Sequence, residues 1–482
     1  MQAEIPVIII CISRVYIYDS VKEAQMKKVD FNNGSIPQNI IQTAFPMLIA
    51  QIINLLYNIV DRIYIGRLPD IGTEALGAVG LCFPIIIIVT GFTNMYGTGG
   101  APLFSIEMGR KNNKKAAAIL NTSLRLEIIT AVILILICEP LAPYILKLFG
   151  ASEKGLVYAV PYIRIYLTGA VFSMIGTGMN PYINAQGYSS IGMTTVLIGA
   201  VSNIILDPIL MFAMGMGVNG AAVATVISQA LTAVFVVVFL LSGKNEYRLI
   251  GKVNMEIEGK HSPLPYAGDI MSLGTASFVM QCTNSLVSVV CNKVLIITGG
   301  EMYVSVMTII SSVRQILDCP IQAITDGSTP TISFNYGARR ADRVRQAMKI
   351  MSAAAIIYTA VMWIFIELKP NLLISVFSSD PQLQEMTLRP LHLYFFAFIF
   401  QSFQYSGQTC FKAMNKRKQT IFFSLLRKVI LVVPLTCLLP LVFGMGTDGV
   451  FIAEPISNVV GGSLCMTAML ATILPELRKM DT

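Results

Sequence analysis

Charge is scarce in this chain. Only 13% of its 482 residues are charged, against about 25% in a soluble globular domain. That shortage excludes an ordinary soluble fold. Histidine is nearly missing, with two in the whole chain, which argues against a His-built metal site. The nine cysteines (Cys11, Cys82, Cys138, Cys282, Cys291, Cys319, Cys410, Cys437 and Cys465) form no CxxC pair and no zinc spacing. They read as small apolar residues inside helices. No GxxxxGK[ST] segment occurs, so the chain is not a self-contained ATPase, and no nucleophile cluster points to a membrane-embedded enzyme. The longest polar stretch, Ser242 to Pro265, is too short to fold alone. Residues 1–25 carry one apolar run, Ile5 to Ile12, too short to span and preceded by Glu4 instead of a basic signal-peptide region. Met26-Lys27-Lys28 looks like a start, which makes residues 1–25 a dispensable extension or tail.

What fills the chain is apolar: 54% of residues are hydrophobic. Runs of about 20 apolar residues are the signature of membrane-crossing helices. Spans are expected near 36–65, 75–100, 116–138, 156–185, 190–213 and 217–241, then near 266–296, 302–330, 346–368, 386–411, 419–442 and 447–474. The fold class is an all-α membrane protein of twelve helices in two bundles of six. Its parts are an N-terminal tail (1–35), an N-terminal bundle (36–241), a cytoplasmic linker (242–265), a C-terminal bundle (266–474) and a short C-terminal tail (475–482).

The net charge of +8 would suit nucleic acid, but its distribution describes a topology instead. The termini and the even-numbered loops hold 22 Lys and Arg, and the odd loops hold 5. By the positive-inside rule both termini are cytoplasmic, in an inner or cytoplasmic membrane. The halves also resemble each other at an offset of 228–230 residues. Pro102, Ser105 and Gly109 match Pro330, Ser333 and Gly337. Gly215, Gly217 and Gly220 match Gly444, Gly446 and Gly449. Gln51, Asn54 and Phe149 match Gln281, Asn284 and Phe377. Repeats of six spans enter the membrane in the same direction, so a pseudo-twofold axis along the membrane normal relates them. Two such bundles around a cleft can alternate access.

Ionised side chains at mid-membrane cost at least about 2.5–3.5 kcal/mol, so buried acids are functional candidates. Asp61 lies in span 1 and Asp207 in span 5, with Asn203 one turn before it on the same face. At 1.5 Å per residue, Asp61 is about 36 Å past Pro37, Asp207 about 24 Å past Ile191 and Thr225 about 12 Å past Gly217. All three then fall in the outer half and can share one site. The bland alternatives are an interfacial Asp61 paired with Arg62 or Arg67, an Asp207 at a helix end, and a helix-packing Asn203. In the other half, Arg314 and Asp318 are spaced to pair along span 8. Glu454, before Pro455, stands at the offset of Thr225 and is a candidate secondary acid site together with Asp318.

Five segments carry a family resemblance: Tyr57-Asn-Ile-Val-Asp61-Arg-Ile-Tyr-Ile-Gly66, Asn203-Ile-Ile-Leu-Asp207-Pro208, Gly217-Val-Asn-Gly220-Ala-Ala-Val-Ala-Thr225, Phe334-Asn-Tyr-Gly-Ala338 and Ala453-Glu-Pro455. In order on a duplicated twelve-span chain, they resemble the multidrug and toxic compound extrusion (MATE) transporters, in their DinF-like branch. The resemblance implies proton- or sodium-coupled export of cationic amphipathic compounds. It matches Asp61, Asn203, Asp207, Thr225 and Asn180 to a cation-coupling network, the place where sodium would sit, and Pro46 to a bend in the first helix. Tyr57, Tyr166, Met174 and Tyr182 are candidates for a broad substrate cleft, since methionine and aromatic side chains repack and attract cations. The chain departs from the NorM-like branch: span 7 offers only Gln281, Asn284 and Asn292, and span 10 only Gln401, Gln404 and Gln408. The expected partners are small molecules and the lipid bilayer, with no nucleotide, nucleic acid, resident metal or cofactor, and a monomer as the working unit. The rivals are a lipid-linked oligosaccharide flippase, which would want a basic cavity where the candidates here are mostly neutral, and a non-transporting membrane scaffold.

Overall fold

The computed structural model describes residues 28–68, 72–149, 152–242, 247, 249, 256–257, 260–261, 264–377 and 380–481. Residues 1–25, most of the linker and the Ser378 end of one loop lie outside the described residues.

The first half holds α1 (Ile36–Gly66), α2 (Gly72–Gly109), α3 (Asn113–Leu148), α4 (Glu153–Thr168), α5 (Ala170–Gly178), α6 (Asn180–Ala185), α7 (Ser189–Pro208) and α8 (Gly217–Leu241). The second holds α9 (Ala267–Gly299), α10 (Glu301–Gly337), α11 (Ala341–Leu368), α12 (Pro370–Ser375), α13 (Pro381–Phe395), α14 (Phe398–Ala413), α15 (Arg417–Leu425), α16 (Val433–Leu441) and α17 (Gly446–Asp481). A two-stranded ribbon, β1 (Glu256–Ile257) with β2 (Lys260–His261), lies in the linker. Ten helical segments are long and apolar enough to cross a membrane. An eleventh span is α4 with α5 and α6, bent by 53° at the break. The expected span near 386–411 is made of two helices, α13 and α14, broken near Phe396. All twelve expected spans thus have a helical counterpart, most of them longer than the apolar run. Helix α17 runs on through residues 475–481.

Capping follows from the loop residues. Asn112 accepts the Lys115 N–H at 3.1 Å at the start of α3, and Asp380 accepts the Gln382 N–H at 3.0 Å at the start of α13. The repeated glycines have a backbone reason. Gly215 and Gly217 have φ of +66° and +55°, and their mates Gly444 and Gly446 have +68° and +56°. Glycine enters this left-handed region without a Cβ clash.

The bundles meet at the end that carries both termini. Helices α2 and α10 cross there with Gly109 against the Phe334 carbonyl and Gly337 against that of Ile106. Deeper in, Gly99 meets Gly274 and Gly327 meets Ala44. Each pair of contacts repeats at the sequence offset, as a pseudo-twofold axis between the bundles requires. The Thr98 and Ser277 hydroxyls bond across the seam at 2.7 Å, and the Thr43 hydroxyl donates to the Gly327 carbonyl at 2.6 Å. The start of α1 belongs as much to the second half as to the first: Ile36 and Ile40 share a core with Ile332, Val344, Ala347 and Met351.

Candidate functional site

Helix α7 ends in Asp207-Pro208, and a π-helical segment, Ile209–Ala213, follows. Proline removes a backbone donor and the π segment widens the turn. Helix α8 packs tightly over it: a Cβ on Gly220 would come within 2.8 Å of the Leu210 backbone. The Asp207 side chain is fully buried as a result. One turn earlier, the Asn203 amide donates to Asp207 Oδ1 at 3.2 Å and to Thr225 Oγ1 at 3.4 Å. The Thr225 hydroxyl itself donates to the Ala221 carbonyl at 2.9 Å.

Asp61 reaches the same place from α1, and its carboxyl lies beside that of Asp207. Arg62 turns away and lies over the Phe83 ring, 4.9 Å from its centroid. Among the described residues no ion pair within contact distance joins Asp61 to Arg62, and Asp61 sits as the neighbour of Asp207. Asp61 Oδ1, Asp207 Oδ2 and Asn203 Oδ1 are all buried with no donor on the protein. Such acceptors are costly unless something supplies positive charge or a hydrogen. A proton or a small cation between the two carboxyls would supply both, and these oxygens are the hard ligands that sodium takes.

Tyr57 and Tyr162 stand close to this acid pair, with Tyr166 beside both tyrosines. Tyr57 is half-buried, so it can line an opening beside the acids. Met174 and Tyr182 cannot line a cleft in this conformation, because both are fully buried. Tyr182 bonds the Ser123 hydroxyl and the Tyr96 carbonyl inside the core of the first bundle. Asn180 bonds Thr195, the Gly192 carbonyl at 2.8 Å and Asn184 at 2.9 Å, a network apart from the acids. Pro46 is buried within an α1 that continues through it to Gly66.

A family model described as MatE matches residues 46–209 and again 276–438. This chain is a MATE transporter. The double match repeats the internal offset, so the family unit is one bundle and the transporter carries two. Among curated relatives it resembles the multidrug export protein MepA of Staphylococcus aureus (strain MSSA476), 24% identical over 92% of this chain and 95% of that one. MepA of Staphylococcus haemolyticus (strain JCSC1435) is 26% identical over 73% and 76%. Among solved structures, a MATE crystal structure in complex with MaD3S covers 94% of this chain and 99% of its own, with a TM-score of 0.86 and 24% identity. A structure titled as the outward-facing conformation of a multidrug resistance MATE family transporter also gives 0.86, at 23% identity and over 94% and 99% of the two chains. These likenesses show the fold.

The transporter holds charged residues that sequence reasoning left without a role. Glu127 on α3 is fully buried, and neither carboxyl oxygen has a partner. It lies near the middle of the expected span 116–138, two residues after Arg125, and its packing shows that it has no partner. Arg427 and Lys428 are buried in the second bundle, on a π-helical segment, Leu426–Val432, between α15 and α16. With Arg314 they make the interior of that bundle basic, against the expectation of mostly neutral candidates. Glu454 is ion-paired there with Arg314 at 2.8 Å and with Lys428 at 3.1 Å. Arg314 and Asp318 do pair along their helix, at 3.4 Å.

Proposed function

We propose that this transporter is a cation-coupled antiporter that exports cationic amphipathic compounds, with the acid pair Asp61 and Asp207 as its coupling site. The observation that carries the reading is the adjacent pair of carboxyls, Asp207 buried and Asp61 half-buried, each with one buried oxygen that no protein donor satisfies. Multidrug export is the printed function of the MepA relatives, which supports the same class. If the termini are cytoplasmic, the packed seam closes the inner side and the acids face outward. A proton or sodium ion from outside would then join the two carboxyls and remove their mutual repulsion. The acids would draw together, α1 would shift against α7, and drug would leave. Rocking of the bundles would open the seam and release the cation inside.

The DinF-like branch, the choice of ion, the monomeric unit and the cytoplasmic termini are parts of this proposal. The test is uptake of a fluorescent cationic dye into proteoliposomes, driven separately by a proton and by a sodium gradient. Uptake with one gradient supports antiport and names the ion. Uptake driven by neither defeats the reading and favours the flippase or the scaffold.

A further inference from the structure

The second bundle encloses a charge cluster that includes the repeat counterpart of Thr225, the residue beside the acid pair in the first bundle. At the offset of 229, Thr225 corresponds to Glu454 and Asp207 to Thr436. Five ionic side chains from three spans converge there. Arg314 reaches Glu454 Oε1 at 2.8 Å, Asp318 Oδ2 at 3.4 Å and the Tyr394 hydroxyl at 2.5 Å. Lys428 reaches Glu454 Oε1 at 3.1 Å, and Arg427 lies 3.7 Å from the same oxygen. Arg427 also donates to Asn458 Oδ1 at 2.6 Å, and Gln401 donates to Asp318 Oδ1 at 2.6 Å.

The charges do not balance. Three cations face two carboxylates: Glu454 Oε1 meets all three, and its Oε2 is 3.5 Å from Lys428. Arg427 and Lys428 together carry eight N–H donors, and the bonds just named use few of them. An unmatched cation in such a setting is costly and marks a functional place. Two further observations point the same way. The π-helical segment that brings in Arg427 and Lys428 is a form that recurs at functional sites. The cluster is also graded in exposure. Arg314 and Asp318 form a rim, with side chains 16% and 13% exposed, while Glu454, Arg427 and Lys428 form a floor at 5–7%.

We propose that this cluster is a binding site for a carboxylate on the transported compound. The excess of one positive charge fits a monoanion better than a phosphate dianion. Guanidinium groups suit the planar carboxylate. The acid pair of the first bundle and the basic cluster of the second then carry opposite polarity. A zwitterionic amphiphile, with an amine at one end and a carboxylate at the other, matches that arrangement. This refines the substrate class of the export reading and rests on that reading only for transport, because binding itself needs no gradient.

The probes are dansylglycine and its methyl ester, which differ in one charge. Binding to the purified full-length protein is read by dansyl fluorescence. The wild type should hold the acid about tenfold tighter than the ester, a ratio typical of one charge-assisted contact. Lys428→Met removes the excess charge and should bring the ratio close to one. It should fold, since it relieves an uncompensated cation. Asp318→Asn takes away a competing carboxylate at the rim and should raise the ratio above the wild-type value. No preference for the acid in the wild type, or the same preference in Lys428→Met, or a fall in Asp318→Asn, would each overturn the proposal. Failure of gradient-driven dye transport would sink the antiport reading and leave these ratios standing.

Discussion

Gly109 and Gly337 face each other across the axis that relates the two bundles. A Cβ on Gly109 would lie 2.0 Å from the Phe334 carbonyl oxygen, and one on Gly337 would lie 2.0 Å from that of Ile106. The contact is reciprocal because each glycine occupies the same place in its own repeat. Backbones can approach so closely only where side chains are small. Gly109→Val should therefore force α2 and α10 apart. Export should fall about tenfold or more, and a cysteine placed at Ser277 in the seam should label faster from the termini side. Unchanged labelling and export would show that the seam is not a gate.

Removing either charge of the acid pair should uncouple transport. Asp61→Asn and Asp207→Asn keep the volume and lose the negative charge, so both sites would mimic the neutralised state. Drug binding should persist while gradient-driven export drops to near background, and the pH dependence of drug affinity should flatten. Asn203→Ala, which leaves Asp207 Oδ1 without its donor, should have a milder effect, about 1–2 kcal/mol or roughly tenfold on coupling. Normal export by both asparagine variants would take the first bundle out of the mechanism.

Glu454 is the only carboxylate within reach of both Arg427 and Lys428 among the described ion pairs. Glu454→Gln leaves buried cations without their partner, at a cost of about 3–5 kcal/mol. Its thermal midpoint should fall by several degrees, and adding Lys428→Met in the same chain should recover most of that loss. Export of a cationic dye should decline less than in Asp61→Asn. Complete loss of dye export in a well-folded Glu454→Gln protein would move the coupling site to the second bundle.

The segment before α1 straps the two bundles together. The Val29 N–H donates to the Gly187 carbonyl at 3.0 Å in the first half. From the second half, Asn335 donates to the Phe31 carbonyl at 3.2 Å and Arg343 to that of Gly34 at 2.6 Å. Arg340 holds the Asn32 carbonyl as well. Translation from Met26 keeps this strap and should give full activity. A start at Ser35 removes it, and should lower the thermal midpoint by several degrees and slow export. Equal stability of the two shortened proteins would show the strap to be idle.

Membrane orientation has its own check. Reporters fused after Thr482 and within residues 378–384 should report opposite sides, with the Thr482 fusion cytoplasmic. The same side for both would defeat the twelve-span topology.

Much of this was legible along the chain because the membrane imposes local rules. Helices must satisfy their own backbone bonds in lipid, so each span announces itself by length and apolarity alone. The repeat was equally legible, since positions such as Gly215 and Gly444 answer to a local φ requirement. The grouping of Asp61, Asn203, Asp207 and Thr225 followed from depth, which is simple arithmetic on helical rise. The cleft residues were less legible. Met174 and Tyr182 carry the right chemistry, but helical rotation turned them into the core, and rotation about a long apolar helix leaves little trace in its sequence.

The sequence by itself determined the class of the protein, its twelve spans, its duplication and the acids that no lipid-facing surface would tolerate. Those properties depend on residue type and on spacing along one helix. The tertiary structure alone decided which side chains meet. It turned Arg62 onto Phe83 and left Asp61 to Asp207, and it gathered Arg314, Arg427 and Lys428 from two separate spans around Glu454. Such meetings depend on how helices rotate and cross, and on two short π-helical segments that shift the register by part of a turn. No single stretch of sequence encodes that geometry.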